Sequence, residues 1–290
     1  RPPRSTLFPY TTLFRSPHDW LIYDTENLYQ SSTGFYKKEF ILKKEEMTDD
    51  RIFFLRFEGV YQNWAAFING KKAFEWKYGY STVEFCISPF LKEGKNTLEV
   101  IAVYQSPNSR WYSGAGIFRN VYLISTGRRR IAPDGVYFHA QTENSEKNLW
   151  KVRIETELFS PLDEKKSGDF KIKHILYDED KILTFTETEV EKNDAWEKSH
   201  IFTGLIKNII PWEPENPHLY TLKTQVIGMD EKIIDQLEQK VGFREICFYP
   251  DRGFFINGRH MIIHGVCEHH DFGLMGAEFS LECLKRKIKK

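Results

Sequence analysis

Residues 254–273 read FFINGRHMIIHGVCEHHDFG. The stretch opens on a hairpin signal, two apolar flanks around Asn257-Gly258, a dipeptide that tolerates the positive φ of a type I′ turn. An apolar run follows, MIIHGV, of the kind a fully buried parallel strand carries. Two adjacent histidines flanked by acids come next. The chain then closes on SLECLKRKIKK, where Leu281, Leu284 and Ile288 fall on one helical face behind Ser280 as N-cap, with Glu282 in the first turn. The expectation is a single strand–loop–helix unit. Such a unit is not stable by itself, because its strand needs parallel neighbours and its helix needs a sheet to cover. The chain therefore reads as cut off.

Everything upstream reads as strands. From residue 17 to about 128, RIFFLRFEGV, WAAFINGKKAFEW, STVEFCISPFL and KNTLEVIAVYQ are short β-favouring runs with turn punctuation, the second a hairpin around Asn69-Gly70. Strands every ten residues or so, without a helix, predict a jelly roll or β-sandwich. A second β region spans 129–247, in DGVYFHAQT, WKVRIETELFS, FKIKHILYD, TFTETEV and HLYTLKTQVIG. Val152, Ile154, Thr156 and Leu158 keep a period of two, and some seven strands predict an immunoglobulin-like sandwich. IIPWEPENPHLY carries three prolines and suits a connection or an edge. The first 16 residues, RPPRSTLFPYTTLFRS, show neither the apolar stretch of a secretion signal nor a strand or helix period. They read as an artefactual or disordered leader outside the fold.

Composition narrows the function. The chain has 290 residues with 41 basic and 41 acidic side chains, so charge gives no reason to expect nucleic acid or an anionic membrane as partner. No apolar run approaches bilayer length. The four cysteines, Cys86, Cys247, Cys267 and Cys283, are far apart and predict reduced, mostly buried thiols. Aromatics form 15% of the chain. Sandwich cores account for most of them, and exposed rings offer faces on which the C–H bonds of a sugar pack.

Three stretches resemble glycoside hydrolase family 2, the family of β-galactosidases, β-glucuronidases and β-mannosidases. FEGVYQNWAAFINGKKAFEWKYGYSTVEFCISPFLKEGKNTLEVIAV is similar to its sugar-binding jelly roll. SRWYSGAGIFRNVYL, residues 109–123, is similar to the close of that domain. VGFREICFYPDRGFFINGRHMIIHGVCEHHDFGLMGAEF is similar to the join between the immunoglobulin-like domain and the first barrel strand, in the β-galactosidase-like branch. The resemblance implies a jelly roll, an immunoglobulin-like sandwich and, from residue 248, the truncated first β/α unit of a (β/α)₈ barrel, a fold that needs about 250 residues when complete. It implies the N-terminal part of a retaining exo-β-glycosidase acting on a galactoside-like β-linked substrate. Both catalytic glutamates are expected beyond residue 290, so the chain is not expected to hydrolyse anything alone.

The resemblance also assigns a sugar-binding set. His269 maps onto a histidine that hydrogen-bonds a glycone hydroxyl, and a neutral imidazole supplies one donor and one acceptor for that task. His270 and Asp271 are expected to shape the pocket around it, with Asp271 alternatively bonding loop amides. Arg110 and Trp111 lie in a loop that reaches over the barrel mouth in the family. Several members carry an aspartate at Arg110, and arginine reverses that charge. Gly114, Gly116 and Arg119 are expected to be structural, and Tyr112 to face either the pocket or a domain interface. In the opening PHDW, Asp19 and Trp20 are expected to cap the first strands. No cofactor is implied. A metal site drawn from His264, Cys267, Glu268, His269, His270 and Asp271 is the competing idea, and strand alternation argues against it because His264 and His269 would not converge. A homo-oligomer at full length, a cytoplasmic or periplasmic bacterial location, and a non-catalytic carbohydrate-binding or adhesion protein of two sandwiches remain open.

Overall fold

The Asn69-Gly70 turn behaves as its chemistry requires. Both residues have positive φ, 51° and 78°, and they join the antiparallel strands on either side. The computed structural model describes residues 5–7, 17–159, 170–190 and 199–289. The chain divides into two units, Arg1–Thr126 with Val266–Lys290, and Gly127–Gly265.

In the first unit the strands are β1 (Ser5–Leu7), β2 (Ser32–Leu42), β3 (Arg51–Phe57), β4 (Trp64–Ile68), β5 (Lys71–Trp76), β6 (Val83–Cys86), β7 (Gly94–Tyr104) and β8 (Val121–Gly127). They form two four-stranded sheets, β2-β7-β4-β5 and β1-β8-β3-β6. Alternation sends Trp64, Ala66 and Ile68 of β4 and Leu98, Val100 and Ala102 of β7 into one core, against Leu55 and Phe57 of β3. Asn69 ties the turn down, accepting the Thr97 amide at 3.0 Å and donating to the Asn96 side chain at 2.8 Å. One expectation needs correcting. Ser5–Leu7, read as part of a leader outside the fold, is an edge strand, with Ser5 opposite Ile124. A three-residue strand is too short to show a period, which is why the sequence hides it. The other leader residues lie outside the described residues.

The second unit carries β9 (Arg130–Asn144), β10 (Leu149–Phe159), β11 (Phe170–Asp178), β12 (Lys181–Val190), β13 (Ser199–Lys207), β14 (Tyr220–Gly228) and β15 (Ile233–Val241). These make a three-stranded sheet, β13-β10-β9, and a four-stranded sheet, β12-β11-β14-β15. The seven strands match the sandwich expected. Val152, Ile154, Thr156 and Leu158 all point inward and are buried. The Pro-rich segment 209–219 is a connection, as read, and Trp150 and Tyr220 both pack edge-on against Phe243 inside the core.

A short meander follows, β16 (Ile246–Tyr249), β17 (Gly253–Ile256) and β18 (Arg259–Met261), turning at Asn257 and Gly258 with φ of 49° and 77°. MIIHGV departs from expectation. Only Met261 lies in a strand, and Ile262, Ile263 and Val266 are 70%, 66% and 88% exposed. A parallel strand exists only where neighbours supply its ladder, and none is present here among the described residues. The helix α1 (Leu281–Ile288) forms as read, with the Ser280 hydroxyl accepting the Cys283 amide at 3.3 Å. Its Leu281 and Ile288 face solvent. The thiols also differ from expectation: Cys267 is exposed and the other three are half-buried, each unpaired. Among the described residues no helix is long and apolar enough to cross a membrane.

Candidate functional site: a carboxylate-centred loop cluster

Three separate pieces of the first unit meet around one carboxylate. Asp19 is fully buried. Its Oδ1 accepts the amides of Leu21 at 3.1 Å and Ala115 at 3.0 Å. Its Oδ2 accepts the Tyr112 hydroxyl at 2.6 Å and the Ala277 amide at 2.9 Å. Four donors satisfy a charge that would otherwise be costly to bury. One aspartate thereby fastens the opening PHDW, the loop after β7 and the tail after MIIHGV.

Backbone pairing and two glycines make this close approach feasible. The His18 amide donates to Ile117 O at 2.7 Å, and Trp20 to Ala115 O at 3.2 Å. Tyr61 and Gly116 exchange both backbone bonds at 2.9 Å. Gly114 has φ +66°, and a side chain there would collide with Asp19 and Ala277. Gly276, φ +57°, is crowded by the same Asp19 carboxylate. His18 is buried against the Tyr36 and Tyr23 hydroxyls, each 3.0 Å from a ring nitrogen, and burial lowers its pKa. Burial pushes the Tyr36 hydroxyl far up. The Tyr112 hydroxyl is also raised, by burial first and then by its bond to Asp19. Tyr112 therefore serves the scaffold of this cluster.

The scaffold holds two histidines in different roles. His270 is tucked in: its Nε2 donates to Ser113 O at 3.0 Å, and its ring meets Tyr80 edge-on and tilts against Phe118, both at 5.3 Å. Burial lowers its pKa, and the Arg119 charge acts in the same direction. His269 is exposed, with its ring stacked on Trp111 at 5.4 Å and 16°. The Trp111 indole N–H in turn donates to the Tyr80 hydroxyl at 3.2 Å. Burial pushes Tyr80 up to about 12, so it stays a neutral partner.

The structure thus brings together Trp111, His269 and His270 of the five residues read as sugar-binding. Arg110 is exposed beside Trp111. Asp271 is engaged through its backbone, its carbonyl accepting the Lys287 ammonium at 2.7 Å, while Lys287 also pairs with Glu268. Among the described residues, the ligand-type side chains from His264 to Asp271 do not converge into a group able to hold a metal. Arg119 lies over the Phe118 ring at 5.3 Å. Sequence reasoning missed Asp19 and Tyr80 as parts of the site. The one available signal for Asp19 was an acid between aromatic and apolar neighbours in PHDWLIY. Chemically, the cluster offers an exposed imidazole stacked on an indole, which suits the hydroxyl and C–H faces of a sugar.

Comparison with known proteins identifies the family. Residues 18–127 match the sugar-binding domain model of glycosyl hydrolases family 2, and residues 134–244 match a second model of that family. The chain belongs to glycosyl hydrolases family 2. Among family 2 relatives, a β-galactosidase of Bacteroides ovatus is 31% identical across 94% of this chain and 33% of its own length. A β-glucuronidase of Bacteroides fragilis is 27% identical across 90% of this chain and 39% of its own. The crystal structure of a family 2 member from Bacteroides cellulosilyticus superposes with TM-score 0.86 at 26% identity, over 95% of this chain and 38% of that one. The chain spans about a third of the length of these family 2 proteins.

Proposed function

We propose that this chain is the N-terminal part of a retaining exo-β-glycosidase of galactoside type, and that it supplies one wall of the sugar pocket. The Trp111–His269 stack carries this reading, because an exposed imidazole held flat on an indole is a ready hydroxyl partner beside a ring-stacking surface. His269 bonds a glycone hydroxyl, and His270 sets its position from behind. The relatives' greater length supports a barrel downstream that brings the two carboxylates of a retaining mechanism, about 5 Å apart. In that barrel the exposed run around Ile262, Ile263 and Val266 becomes the first strand, covered on both faces. Residues 248–290 then belong to the barrel, after a jelly roll at 17–128 and a sandwich at 129–247.

A second reading, a glucuronide substrate, is favoured by Arg110. An exposed cation beside the stack attracts a uronate carboxylate and gives a neutral hexose no charge partner. The test is to express the whole reading frame and compare kcat/KM on aryl β-galactoside and aryl β-glucuronide. Preference for the galactoside supports the first reading. Preference for the glucuronide, lost in Arg110→Ala, supports the second. Hydrolysis of neither rejects both.

A further inference from the structure

A groove of about 680 Å³ runs along the edge strand β5, within the size range of small-molecule sites. Its floor is apolar: Ala65 and Phe67 of β4, and Ile101 and Val103 of β7, one face of the sheet by alternation. Its wall holds two large rings left in solvent, Trp76 at 41% and Tyr78 at 61% exposed. Between and beside them stand Glu75, which pairs with Lys72 of the same strand, the exposed Lys77, and the exposed Asn63. Flat rings over an apolar floor, with a mix of donors and acceptors at the rim, match a polyol whose C–H faces stack on the rings. An anion would find only solvent-exposed lysines beside the Glu75 carboxylate, a weak attraction in water.

The groove is also linked to the site described above. Tyr78 meets Tyr80 edge-on at 5.8 Å, the Tyr80 hydroxyl accepts the Trp111 indole N–H at 3.2 Å, and Trp111 stacks on His269 at 5.4 Å. An unbroken line of rings thus runs from one to the other.

We propose that this groove is a second carbohydrate-binding site, taking the distal part of a neutral β-linked oligosaccharide whose end lies at the Trp111–His269 stack. Trp76 and Tyr78 supply stacking faces, and Asn63 and Lys77 bond hydroxyls. The direction of the bound chain rests on the glycosidase reading. Binding in the groove does not, since it needs no catalytic group.

The test uses this 290-residue chain, titrated calorimetrically with neutral β-linked tetrasaccharides of galactose, glucose and mannose. At least one is expected to bind at about millimolar affinity or better. Trp76→Ala and Tyr78→Ala should each weaken it by about tenfold. Trp76→Phe should restore most of the affinity, which separates lost stacking from misfolding. Absence of binding to all three sugars, or equal binding by Trp76→Ala, overturns the proposal. So does self-association of the chain that Trp76→Ala abolishes without any sugar response, which would make the groove a contact between copies. Hydrolysis of a short aryl glycoside by the full-length protein is unaffected by any of these results, so the two proposals fail separately.

Discussion

The Asp19 carboxylate accepts the Ala277 amide at 2.9 Å across 258 residues of sequence. Few bonds among the described residues join positions so far apart, and this one fastens the tail that carries His269 and His270. The same carboxylate takes the Tyr112 hydroxyl and the Ala115 amide, so a single acid sets the geometry between the loop bearing Trp111 and the tail bearing the histidines.

Replacing that acid by its amide should be costly. Asp19→Asn keeps the shape but offers one acceptor oxygen and turns an NH₂ toward the donors that met Oδ2. A loss of about 2–3 kcal/mol in unfolding free energy is expected from chemical denaturation. Hydrogen exchange at the Ala277 amide should accelerate with it. An unchanged midpoint and unchanged exchange would show that the tail is held by other contacts.

Gly276 tests the same junction from the other side. Its φ of +57° disfavours any side chain, and a Cβ would press on Asp19 and Ile22. Gly276→Ala should cost about 1–3 kcal/mol. It should also expose His270 to solvent, and relief of burial, the largest cause of its lowered pKa, should raise that pKa by more than loss of the Ser113 O bond lowers it, read by NMR. Gly258, whose surroundings are open, should accept alanine with only the smaller penalty of its own positive φ.

Acid sensitivity has a clear source in the second unit. His174 is buried beside Thr224, 3.1 Å from its hydroxyl, and burial lowers its pKa from 6.5 to about 4. Above pH 6.5 the imidazole is neutral whether the chain is folded or not. As pH falls from there toward 4, the unfolded chain takes up a proton that the folded chain refuses, so stability is lost through this window and levels off below it. The loss is on the order of 3 kcal/mol. His18 and His270 are shifted in the same direction by burial and add to it. His174→Gln should flatten the stability curve between pH 6.5 and 4, measured by urea midpoints, and an equally steep curve would assign the acid sensitivity elsewhere.

What was legible in the sequence was local. Asn69-Gly70, Asn257-Gly258 and Ser280 announce two turns and a helix start because their chemistry acts within three residues. The period of Val152 to Leu158 marks a buried face for the same reason. The sequence suggests only a strand cap at Asp19, because its partners Tyr112, Ala115 and Ala277 are distant in sequence and nothing near position 19 reveals them. MIIHGV has the composition of a buried strand, but a strand also needs neighbours, and composition cannot supply them. Family resemblance points to Trp111 and His269 separately, and only the structure pairs them.

The most direct measurement of the central claim is kcat/KM for the full-length protein against its preferred aryl β-glycoside, compared with His269→Ala and Trp111→Ala. If these side chains form the glycone wall, each variant should lose at least about tenfold, one hydrogen bond or one stacking face to the sugar. His264→Ala, altering an exposed histidine of the same tail, should change little. Wild-type values in both His269→Ala and Trp111→Ala would contradict the account.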